Sequence, residues 1–202
     1  LHILGYGIDE THPGIVQLLD KAQAGRQNRV DRILKCLRDF DIRLTLEAVK
    51  NGGNTMSLGR MHIAHLLVKR GHVRTVREAF DRYLSYEMKI IEHPSTDFVS
   101  SHRAIEYILE AGGIPVFAHP TIRLFDRHID TLKEAGLQGV EVFKGSRPSI
   151  EEFYLETVVK DKGLLLTGGS DWHGHKSTLS LGSFYVDSAR IQPFLKTVQF
   201  FE

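Results

Sequence analysis

Apolar residues along the chain follow two regimes. Up to about residue 84 they recur at helical steps, and from residue 114 they gather into short runs separated by amphipathic stretches. In the first regime Ile15, Leu18 and Leu19, then Val30, Ile33, Leu34 and Leu37, fall at three- and four-residue intervals. This predicts a helical block from Gly14 to about Phe40, with Pro13 suited to its first turn. Thr45 to Lys50 predicts a short helix closed by Gly52-Gly53. Ser57 is expected to cap a helix through Arg70 whose inner face is Ile63, Leu66 and Leu67. Thr75 with Glu78 reads as a capping box opening a helix from Val76 to Leu84. Residues 11–90 therefore predict an all-helical insertion subdomain of four helices with no clear strand.

After residue 100 helices and strands alternate. A helix from Ser101 to Ala111 precedes the run Ile114–Ala118, and a helix over about 124–135 precedes Gly139–Phe143. A helix capped by Ser149, with Glu151 and Glu152 in its first turn, precedes Leu164–Thr167. A last strand, Ser183–Val186, leads to a terminal helix from about Ser188. With His2–Tyr6 as a further buried strand, residues 1–10 and 91–202 predict an α/β fold, a parallel sheet or barrel.

Composition narrows the partners. The 202 residues suit one domain carrying a smaller insert. A net charge of +1 removes any bulk electrostatic case for duplex DNA, although Lys69, Arg70, Arg74 and Arg77 form a local basic patch. Cys36 is the single cysteine, so no intramolecular disulfide forms and a reducing, cytoplasmic compartment is expected. No apolar run approaches the roughly 20 residues that span a bilayer, so no membrane partner is expected. Leu1 opens on a strand already under way, which reads as an N-terminally trimmed chain.

The chemistry sits at strand ends. Leu164–Thr167 runs into Gly168-Gly169-Ser170-Asp171-Trp172-His173, and Ile114–Ala118 runs into His119-Pro120. A carboxylate and an imidazole two positions apart share a side of an extended segment, and that donor set suits zinc, manganese or iron. The Asp-x-His pair alone is a weak signal. Two apolar strands that each deliver such donors at their C-terminal ends make the layout of a β/α-barrel metal site. Glu141, inside the apolar run Gly139–Phe143, either faces that site or pairs with a lysine or arginine. His62 and His65, one turn apart, are better read as lining residues of the helical insert or as solvent-facing than as a metal pair.

Five segments, in order, resemble the polymerase-and-histidinol-phosphatase (PHP) superfamily of metal-dependent phosphoesterases: His2–Tyr6, Gly59–Ala64, Glu78–Leu84, Ala118–Pro120 and Gly168–Gly174. The likeness is to the bacterial nucleotide and 5′-end RNA-processing group. It implies a distorted seven-stranded β/α (TIM-like) barrel lacking its first strands. It also implies two or three divalent ions, manganese first with zinc or iron as alternatives, and ligand positions at His2, His119, Asp171 and His173. The family's remaining ligands, a His-x-His motif, an Asp, a further His and a Glu on earlier strands, are not in the chain, and Met61 stands where the family has proline. The resemblance further implies Arg60 and Arg123 as phosphate clamps, His175 as a substrate-facing group, and Asp171 and His173 at the reacting centre. The expected activity is hydrolysis of nucleotide phosphates, either 3′,5′-bisphosphates or the 5′ ends of short RNA. A histidinol-phosphate-type phosphatase and a non-catalytic PHP-like binding module are the competing readings. With four ligand positions only, the chain as given is expected to be crippled in catalysis, and dimerisation is one way to close its open strand edges.

Overall fold

The computed structural model describes residues 1–51, 58–85, 99–145, 149–172 and 182–199. The chain divides into two compact units: residues 1–16 with 100–202, and residues 17–99.

The first unit is mixed α/β. Its strands are β1 (Ile3–Tyr6), β2 (Ile114–Phe117), β3 (Gly139–Phe143) and β4 (Leu165–Gly168), ordered β1-β2-β3-β4 in one sheet. β2 and β3 are buried along their whole length, as expected of apolar runs covered on both faces. The parallel expectation holds for β2, β3 and β4, whereas β1 runs antiparallel to β2 with Ile3 opposite Phe117 and Tyr6 opposite Ile114. A four-stranded sheet is what the described residues show of the expected barrel. Ser183–Val186, expected as a strand, joins no ladder. Instead Phe184 and Val186 turn their side chains onto the apolar core, and Val186 closes so tightly on Gly168 that a Cβ there would lie 2.5 Å from Val186 Cγ2.

Each crossover helix of this unit has a cap that its sequence supplies. Ser100 Oγ accepts from Arg103 N to open α5 (Ser101–Glu110), Thr121 Oγ1 from Leu124 N to open α6 (Ile122–Glu134), and Ser149 Oγ from Glu152 N to open α7 (Ile150–Asp161). α6 buries Phe125, Ile129 and Leu132, spaced four and three residues apart, against Phe117, Val140 and Leu155. It stops at Gly136, whose φ of 99° no other residue adopts without strain.

The second unit is helical among its described residues. It contains most of α1 (Pro13–Leu37), α2 (Leu46–Lys50), α3 (Arg60–Lys69) and α4 (Val76–Ala79), the last running into a π-helical turn at Phe80–Leu84. Ile33, Leu37, Ile63, Leu67 and Leu84 are its most buried large side chains. Ser57, the expected cap of α3, lies outside the described residues. Gly59 occupies the cap position, and its N–H donates to His62 Nδ1 at 3.3 Å. Thr75 caps α4 through Glu78 N, but Glu78 reaches one residue further back than a capping box requires, accepting from Arg74 N at 2.8 Å.

Leu132 is fully buried, so Leu132→Ala is expected to lower the unfolding free energy by about 2–5 kcal/mol in a urea titration. The Arg74 backbone N–H, and then Arg82, hold the Glu78 carboxyl below its ordinary range. A depressed folded pKa contributes stability that is present above the unfolded carboxyl range and is lost as pH falls through the folded value. The melting-temperature gap between the wild type and Glu78→Gln is therefore expected at neutral pH and should close on acidification below about pH 4.5.

Candidate metal centre

Parallel β2, β3 and β4 place their C-terminal ends on one edge of the sheet, and antiparallel β1 brings its N-terminal end to that same edge. The pairing continues one residue beyond the strands, where Ala118 N donates to the His2 carbonyl at 3.1 Å. His2 is thereby held beside His119, with His2 Nδ1 and His119 Nε2 3.1 Å apart and the rings edge-on at a centroid distance of 5.1 Å. In the neutral pair one nitrogen donates and the other accepts. Two nitrogens about 3 Å apart are also spaced as neighbouring ligands of one ion bound at about 2.1 Å, so this pair fits a divalent metal.

Glu141 lies between the loops that follow β2 and β4. It is 6% exposed, and its Oε2 accepts from His119 N at 3.0 Å. Its Oε1 rests against Gly169, where a Cβ would come within 2.3 Å of it. Asp171 follows β4 at the same edge, close enough that its charge acts on Glu141. Burial pushes the Glu141 carboxyl up, and Asp171 adds to this. The His119 backbone N–H, the His119 ring and Lys144 oppose it. Burial and then the Glu141 charge likewise raise the Tyr6 phenol. Both His119 and Asp171 adopt left-handed backbone, with φ of 33° and 48°. Such conformations in non-glycine residues persist where surrounding contacts hold them. Lys144 supplies one such contact, its Nζ donating to the Pro120 carbonyl at 2.8 Å.

The structure thus brings together His2 and His119 and places Asp171 on the same edge by way of Glu141. His173 and His175 lie outside the described residues. Among the described residues no group of three or more His, Cys, Asp or Glu surrounds a common point. Arg123, in the first turn of α6, is exposed and has no ion pair among the described residues. Arg60 belongs to the helical unit, where its Nη1 donates to the Leu84 carbonyl at 3.0 Å and its guanidinium sits 5.4 Å from the Phe80 ring centroid. Glu141 faces the edge, which resolves the two readings its sequence left open. Lys144 and Tyr6 carried no signal in the sequence, because one acts on a backbone carbonyl and the other sits on a half-buried strand.

The chain is similar to several known proteins. The chain is 31% identical over 180 residues to a 3′,5′-nucleoside bisphosphate phosphatase of Chromobacterium violaceum, covering 86% of the chain and 62% of that protein. It is 29% identical over 187 residues to a 5′-3′ exoribonuclease of Haemophilus influenzae, covering 90% of the chain and 67% of the relative. A solved structure from Bifidobacterium adolescentis, assigned to the metal-dependent phosphoesterases, superposes with a TM-score of 0.78 at 31% identity over 97% of the chain and 71% of its own. No family model matches the chain. These likenesses are to metal-dependent phosphoesterases and to enzymes that cleave nucleotide phosphates and RNA. The chain belongs to the PHP superfamily. It spans about 62% of the length of the bisphosphate phosphatase it matches.

Proposed function

We propose that the chain serves a metal-dependent phosphoesterase acting on nucleotide phosphates, either 3′,5′-bisphosphate nucleotides or the 5′ ends of short RNA. The observation that carries this reading is the 3.1 Å approach of His2 and His119 at the edge that also bears Asp171. The named relatives support the substrate class, being a bisphosphate phosphatase and a 5′-3′ exoribonuclease. In this reading the sheet is part of a seven-stranded β/α barrel, residues 11–90 are a helical insertion, and the protein works in the cytoplasm. No helix among the described residues is long and apolar enough to cross a membrane.

His2, His119, Asp171 and His173 would hold divalent ions, manganese foremost, two or three in number. Such ions supply an activated water at neutral pH and neutralise phosphoryl oxygens. His2 and His119 offer ring nitrogens fixed by strand pairing, so little reorganisation precedes binding. Arg123, six residues beyond the end of β2, presents a guanidinium fork that matches two phosphate oxygens. Arg60 is the second phosphate clamp of the proposal. His175 is the proposed substrate-facing group and would donate a proton to the departing oxygen, a task closed to His173 if that residue holds a metal.

Chelator-stripped protein titrated with Mn²⁺ is expected to rise in melting temperature and to release phosphate or nucleotide from a 3′,5′-bisphosphate nucleotide or a 5′-phosphorylated oligoribonucleotide. His119→Ala should lose the thermal shift and the turnover together. Arg123→Ala should keep the shift and lose about 10- to 150-fold in kcat/KM, as one charge-assisted hydrogen-bond pair is worth about 1.5–3 kcal/mol. A wild type indifferent to Mn²⁺, or a His119→Ala variant that responds like the wild type, would refute the proposal.

A further inference from the structure

Glu141 is a buried carboxylate on the candidate edge, and the order of the sheet explains its reach. β3 lies between β2 and β4, so a side chain leaving its middle is flanked by the loop after β2 and the loop after β4. In the register Glu141 pairs with Thr167, and the next rung carries Phe143 opposite Gly168, with a bulge between Glu141 and Phe143. That bulge turns the strand end, and Gly169 N then donates to the Phe143 carbonyl at 2.9 Å. One carboxylate oxygen is left against His119 N and the other against Gly169.

We propose that Glu141 is a positioning residue for the metal centre. Its carboxylate fixes the His119 loop through the His119 N–H and meets the Asp171 loop at Gly169, setting the separation of the two donors. This inference rests on the metal-centre reading above. Three observations carry it. A carboxylate this buried is costly unless its partners need it, and among the described residues Glu141 has a single hydrogen bond, to the backbone of a ligand-bearing loop. His119 holds a left-handed conformation in which its N–H points at Glu141, so the bond restrains a backbone that would otherwise relax. The space at Gly169 is matched to the carboxylate, since any side chain there would collide with Oε1. Groups that orient metal ligands from behind change metal affinity by about 10- to 100-fold when removed.

The test uses three variants and two readouts. In metal-free protein, amide hydrogen exchange at His119 is expected to be slow in the wild type and in Glu141→Gln, which keeps an acceptor oxygen, and fast in Glu141→Ala. Calorimetric Mn²⁺ affinity, measured well below each variant's melting temperature, should fall about 10- to 100-fold in Glu141→Ala and be largely restored in Glu141→Gln. Gly169→Ala pushes on the same carboxylate from the opposite loop and should weaken Mn²⁺ binding while leaving Glu141 in place. A purely structural Glu141 would lower the melting temperature of Glu141→Ala without changing His119 exchange or Mn²⁺ affinity, and that result would overturn the inference while the metal reading stood. A wild type that binds no Mn²⁺, with His119 exchange still controlled by Glu141, would overturn the metal reading and with it the assignment to a metal centre.

Discussion

Because β1 runs against β2, the hydrogen bond from Ala118 N to the His2 carbonyl falls at the edge where β2, β3 and β4 all end. Reversing that one strand would carry His2 to the far end of the sheet, about 13 Å away for a four-residue strand. The approach of His2 to His119 follows from this pairing. It places the two residues side by side, and their ring nitrogens lie 3.1 Å apart.

The same edge gathers charge at a cost. Glu141 and Asp171 act on one another with like sign, and burial disfavours ionised Glu141. His119 and Lys144 oppose both effects, the first through its N–H and ring, the second through its ammonium. A sheet end that collects two carboxylates and two imidazoles is suited to a cation, which relieves the repulsion between the carboxylates without displacing the imidazoles. Stability and function pull in opposite directions here, because the group most expensive to bury is also the group that spans both loops.

Much of the fold was legible because the signals were local. Thr45 and Ser149 cap the helices their positions predict, and β3 has the bounds that its apolar run sets. His119 and Asp171 stood out because polar donors immediately after apolar strands have no packing reason to be there. What failed was non-local. Four residues, Ile3–Tyr6, contain nothing that fixes strand direction, so the antiparallel pairing was invisible. Ser183–Val186 has the alternation of a strand, but its apolar residues fill a gap left by Gly168 and so its backbone joins no ladder. Lys144 escaped notice because its partner is a main-chain carbonyl, which no side-chain pattern records.

Phosphate binding at this edge would ordinarily draw on the helices that begin there, since a helix N-terminus carries unpaired N–H groups and a partial positive charge. α6 starts close behind His119, yet its first turn is already answered from within the protein. Thr121 Oγ1 takes the Leu124 N–H, and Glu151 Oε1, from the first turn of α7, takes the Ile122 N–H at 3.3 Å. That carboxylate also sets a negative charge where an incoming anion would approach. The helix start is thus a poor phosphate site, and the attraction has to come from a side chain that reaches past it. Under the proposed function, Arg123, exposed and in the same turn, is therefore the candidate for the phosphate in place of the α6 backbone.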